Sequence, residues 1–103
     1  MKTIDYLDAV KTRHRLPSDY ALAKRLGVAP ANISSYRSGR RIIDDDMALA
    51  IALELAINPL QVIATANIER AKTPEQRERW SGVMEKFSVS FRNLLLGYGP
   101  HAA

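Results

Sequence analysis

The sequence predicts an all-α fold: a five-helix domain followed by a long C-terminal amphipathic helix. Three observations predict it. Apolar residues recur at intervals of three and four along most of the chain. Start and stop signals cut the sequence into segments of helical length. No stretch alternates apolar and polar residues as a strand would, and there is no internal repeat or low-complexity run. With 47% of its 103 residues apolar, the chain can build one core, carried by one compact domain or a small domain plus an extra helix.

Ile4, Leu7, Ala9 and Val10 set a first helix over residues 3–15, closed by Pro17. Ser18 is a good N-cap for the second, and Asp19 suits its positive end. Tyr20, Leu22, Ala23 and Leu26 form its expected buried side. Gly27 stops it, because glycine accepts the left-handed conformation of a tight helix exit. In the third helix Ala29 takes the cap position and Pro30 the first turn, where a missing N–H costs nothing. Val28 and Ile33 make a hydrophobic staple across that start. The helix is expected to end near Ser38, with Gly39 as its exit.

Asp44, Asp45 and Asp46 open a fourth helix, apolar almost all round from Met47 to Ile57 and therefore expected at the centre of the core. Asn58-Pro59 starts a fifth through Leu60, Val62, Ile63, Ala66 and Ile68. Thr73-Pro74-Glu75-Gln76 is a capping box with a first-turn proline. It opens a sixth helix expected to run to about Leu96, where Gly97, Gly99 and Pro100 end it. The domain division is thus 1–72, a C-terminal helix over 73–96 and a flexible tail over 97–103.

The net charge is +4, and its distribution is uneven. Residues 11–41 hold Lys11, Arg13, Arg15, Lys24, Arg25, Arg37, Arg40 and Arg41 against Asp19 alone, while the remainder is net acidic. A basic segment on an acidic background suits a polyanion, although solvated cation clusters also occur on ordinary surfaces. There is no cysteine, so no disulfide or thiolate zinc site is available. The first residues lack the apolar run of a signal peptide, and the longest apolar run, Met47 to Leu53, is too short to span a bilayer. A soluble cytoplasmic protein is expected.

An enzyme is not expected. The histidines are His14 and His101, with no nucleophile pair, glycine-rich phosphate loop or metal-ligand spacing. The three aspartates splay around a helix start, where they cap and complement its dipole; hard cations want converging oxygens. No cofactor is implied.

The second and third helices, joined by a glycine turn with arginines just beyond, have the layout of a helix-turn-helix, whose second helix enters the DNA major groove. With Ile33 at the centre of its inner face, Tyr36 and Arg37 flank that face. Ala31 and Ser35 point away, and Asn32, Ser34 and Ser38 lie on the shoulders. The outer face is therefore slim and polar. Asn32 can pair bidentately with adenine, Ser34 and Ser35 can bond several bases, and Ala31 can touch a thymine methyl. Ser18, Arg37, Arg40 and Arg41 are expected on phosphates, setting affinity and register. Arg40 and Arg41 also complement the helix dipole.

The run Ser18-Asp19-Tyr20-Ala21-Leu22-Ala23-Lys24-Arg25-Leu26-Gly27-Val28, continued by Ile33-Ser34-Ser35-Tyr36-Arg37-Ser38-Gly39-Arg40-Arg41, resembles the Cro/repressor-type (XRE) helix-turn-helix family. The resemblance covers roughly residues 3–68 and implies a repressor-type five-helix domain. With Thr73-Pro74-Glu75-Gln76-Arg77 and Trp80, the chain is similar to small repressors of filamentous phages and prophages. Two departures stand out. The family often places a phosphate-bracing glutamine where Asp19 stands, and a polar base reader where Pro30 stands. Base reading then shifts to Ala31, Asn32 and Ser35, or to DNA shape.

Trp80, Val83, Met84, Phe87, Phe91, Leu94 and Leu95 form one apolar stripe on the sixth helix. It either completes the domain's own core or joins two copies. Reading a palindromic operator needs two copies about one DNA turn, ~34 Å, apart, which favours a homodimer. The expected function is a sequence-specific repressor of double-stranded DNA. Alternatives are an antitoxin-like module that holds a toxin through the sixth helix, and an activator or excision regulator that bends DNA. Derepression is expected from another protein, such as an anti-repressor, or from a change in the protein's own level.

Overall fold

Six helices follow one another among residues 2–87, the part of the chain that the computed structural model describes. They are α1 (Thr3–Arg13), α2 (Asp19–Leu26), α3 (Pro30–Ser38), α4 (Asp45–Leu55), α5 (Pro59–Arg70) and α6 (Pro74–Glu85), with no strand among the described residues. None of these helices is long and apolar enough to cross a membrane.

The starts follow from local chemistry. Ser18, Asp44 and Thr73 each accept a backbone N–H three residues on, at 3.1, 2.8 and 3.2 Å. Asn58 caps α5 by accepting from Leu60 N at 2.9 Å. Gln76 closes its box one residue early, accepting from Lys72 N rather than Thr73 N. Gly27 and Gly39, at φ of 74° and 80°, give α2 and α3 their left-handed exits. The alanine at the end of α4, Ala56, adopts the same region at φ 56°, so this helix stops at Leu55, before the expected Ile57. Likewise α1 stops at Arg13, because Arg15 turns left-handed at φ 54°.

The core joins Tyr6, Leu7 and Val10 of α1, Leu22 of α2, Ile33 of α3, Ile51 and Leu55 of α4 and Val62 of α5, all fully buried. Helix α4 packs on both α1 and α5, which places it centrally. It is not apolar-buried all round, however. Leu53 is 72% exposed and Leu49 is exposed beside it, on the side of α4 that its neighbours α1, α2 and α5 leave uncovered. On α5, Gln61 and Thr65 turn inward while Leu60 lies exposed. The reason is Tyr6: its buried hydroxyl needs polar partners and finds Thr65 Oγ1 at 3.3 Å and the Gln61 side chain. Burial pushes that phenol above its ordinary value, and both partners pull it back. Glu69 binds the start of α1, accepting from Thr3 N at 2.6 Å and Thr3 Oγ1 at 2.8 Å, so the first and fifth helices close the domain.

Helix α6 packs against α5 and contributes no buried side chain. It stops at Glu85, and Lys86 and Phe87 form a turn where the expected helix would continue; the rest of that helix, with Phe91, Leu94 and Leu95, and the 97–103 tail lie outside the described residues.

Candidate nucleic-acid interface

Helix α3 is seated by two side chains, Ile33 and Tyr36, on the face turned toward α2 and the core. Its opposite side carries Ala31, Ser34 and Ser38, exposed, with Asn32 and Ser35 half-buried along one flank. No large hydrophobe interrupts this outer surface, which is slim enough for close approach to base edges. Ala29 gives the helix no side-chain cap.

The chain leaves α3 through Gly39 and folds back along it. Arg41 N donates to Ser35 O at 3.2 Å. Arg41 Nη1 donates to Asn32 Oδ1 at 3.1 Å, and the guanidinium lies 5.8 Å from the Tyr36 ring centroid. Arg40 Nε donates to Ser38 Oγ at 3.1 Å, and that hydroxyl donates to Ser35 O. Among the described residues neither Arg40 nor Arg41 forms an ion pair. Their charge stays available to an anion. Lys2, Ser38 and Arg41 share a groove at this end of α3, which brings the start of α1 to the same surface.

Arg37, expected on a phosphate, has all three guanidinium nitrogens engaged inside the domain. Nε and Nη2 bind Asp19 at 3.1 and 3.0 Å, and Nη1 binds Asp8 at 2.8 Å. Lys11 adds a second cation on Asp19 at 3.1 Å. Asp19 is therefore a strut rather than a bare charge facing phosphate. Through Arg37 it ties α3 to α2, and Asp8 ties it to α1. The Arg37 hydrogen bonds hold the Asp19 carboxyl below its ordinary range, against some desolvation, and Asp19 in turn raises Arg37.

The stability from this strut has a defined pH sense. A depressed carboxyl stabilises the fold above its unfolded pKa, about 3.9, and the contribution is lost as pH falls through the folded value. Asp19→Asn should therefore flatten the acid limb of a stability–pH curve below about pH 4 while lowering stability at neutral pH. Urea unfolding across that range checks this; an unchanged acid limb would show that the pair does not brace α3.

Ser18 caps α2 through its lone pair, which leaves its hydroxyl proton for a phosphate oxygen. Beside it stands Tyr20, 68% exposed and not on the buried side of α2 as expected. At 100° per residue Tyr20 lies well off the line of Leu22, Ala23 and Leu26, so its spacing already carried the signal. Asp8 left no such trace, because its partner is on another helix.

The visible part of the apolar stripe lies along α5. Trp80, Val83, Met84 and Phe87 are all half-buried, with Met84 Sδ 3.4 Å from Thr65 Oγ1. Trp80 shares a groove with Ile63, Asn67 and Arg70, rimmed by Asp44, Asp45 and Asp46.

A family model described as helix-turn-helix matches residues 18–62, from the cap of α2 into α5. No curated protein and no solved structure matches the chain. The match and the α2–turn–α3 geometry agree on the same segment: residues 18–62 are a helix-turn-helix of the Cro/repressor (XRE) type, the DNA-binding domain of a transcription regulator.

Proposed function

We propose that the protein is a sequence-specific repressor that binds a palindromic operator as a homodimer, in the manner of phage and prophage immunity regulators. One observation carries this reading: α3 offers a slim polar face, and at its end stand two arginines without carboxylate partners among the described residues. Ala31, Asn32, Ser34 and Ser35 read base edges. Ser18 and Arg40 bind the sugar-phosphate backbone, with Tyr20 beside them, and Arg41 stands over α3 against Asn32. Arg37 serves by fixing the angle between α3 and α2. Trp80, Val83, Met84 and Phe87 leave apolar surface half-covered, and with Phe91, Leu94 and Leu95 they supply the contact to a second copy. Two copies place two recognition helices on half-sites ~34 Å apart.

A footprint on the DNA upstream of the protein's own gene tests the reading. Protection of a two-fold symmetric site overlapping the promoter is expected. Asn32→Ala should relax base preference, at ~1–3 kcal/mol for the lost contact. Arg40→Ala should weaken every sequence alike and reduce the salt slope by about one. Equal binding to all duplexes, or none in dilute salt, would discard the reading.

A further inference from the structure

We infer that Asn32 and Arg41 act as one reading unit that selects guanine, with Arg41 setting the base choice of Asn32. The inference rests on the DNA-binding reading above and assigns the base class at one position of its site.

The argument starts from the amide. Arginine has five N–H donors and no acceptor, so the Asn32 atom facing Arg41 Nη1 at 3.1 Å is the carbonyl oxygen. That contact fixes which way the amide points. Oδ1 is turned to the guanidinium, and Nδ2, with its two protons, points away from it. Arg41 is itself held at three points along one ridge of α3. Its main-chain N–H bonds Ser35, its charge lies over the Tyr36 ring, and its Nη1 bonds Asn32. The residues contacted are spaced three and four apart, the spacing that lines one side of a helix. An arginine so placed loses less rotamer freedom on binding than one waving in solvent.

The two purines present different edges in the major groove. Adenine offers an acceptor at N7 and a donor at N6; guanine offers acceptors at both N7 and O6. A free asparagine matches adenine, accepting from N6 and donating to N7. Asn32 paired to Arg41 does not, because its oxygen already accepts from a cation. An adenine amino group arriving there would meet guanidinium protons. Guanine fits instead: Asn32 Nδ2 donates to N7 while Arg41 donates to O6. Removal of Arg41 frees Oδ1 and restores the adenine pattern.

Binding selection from random duplexes, followed by titration of the selected sites, tests this with full-length protein. Wild type should prefer guanine over adenine at one position of each half-site by about tenfold or more. Arg41→Met should reverse that preference toward adenine at the same position, and Asn32→Ala/Arg41→Met should have none. A measurement on the unaltered protein is independent of any variant's folding: 7-deazaguanine at that position, which lacks the N7 acceptor, should bind about tenfold more weakly. Two results overturn the assignment alone: Arg41→Met weakening all sequences equally with the base profile intact, or undiminished affinity for 7-deazaguanine. A wild-type protein that selects no sequence overturns the regulator reading and this assignment together.

Discussion

Ile33→Ala should produce the largest loss of stability of any single change in the recognition helix. Ile33 is fully buried, and α3 has only one other buried side chain, Tyr36. Deleting its outer carbons removes their transfer free energy and leaves a cavity between α3, α2 and the core, at a cost of about 2–5 kcal/mol. A domain of this size holds about 5–15 kcal/mol in total, so a large fraction is lost. Each kcal/mol lowers Tm by about 4–8 °C, which makes the shift easy to read. Operator binding should fall as well, because α3 loses one of its two buried anchors. Ser34→Ala, on the exposed side of the same helix, should stay within about 0.5 kcal/mol of wild type. Thermal and urea unfolding of the two variants decide it. An Ile33→Ala loss below about 1 kcal/mol would mean that α3 is not seated as described.

Ending the chain after Lys72 should separate folding from operator binding. Among the described residues every fully buried large side chain lies at or before Thr65, and α6 contributes none. The shortened chain should fold, with a modest loss of stability from uncovering α5 where Trp80 and Met84 rest. Affinity for a single half-site should change little. Affinity for the full palindrome should drop by about 10²–10⁴, since two linked reading heads gain that much from effective concentration. Sedimentation should find the full-length protein dimeric and the shortened one monomeric. Equal affinity of both chains for the palindrome would remove α6 and the segment beyond it from the assembly.

Much of this architecture is legible in the linear sequence, because it is written in local chemistry. Caps at Ser18, Asp44, Asn58 and Thr73 and exits at Gly27 and Gly39 act over three or four residues, and the helix limits fall where those residues put them. The same holds for the inner face of α3. What escaped depends on contacts between distant segments. The outward turn of Leu49 and Leu53 is decided by which side of α4 its neighbours α1, α2 and α5 occupy, not by its own composition. Gln61 and Thr65 look like surface residues until the Tyr6 hydroxyl demands them. Asp19 reads as a charge facing phosphate until Arg37 and Lys11 surround it. Tyr20 differs from these: strict helical geometry placed it outside, and only its aromatic character suggested otherwise.

The separation between bracing and reading on α3 has a consequence for how such a protein can change. Ile33, Tyr36 and Arg37 hold the rod in place from behind, while Ala31 and Ser34 stand in solvent. On the proposed reading, the letters that address DNA are thus nearly independent of the letters that keep the scaffold standing. A lineage can re-aim such a head at a new sequence by rewriting a few outward positions, with little penalty in folding, so related chains can drift apart in the sites they recognise while sharing one frame.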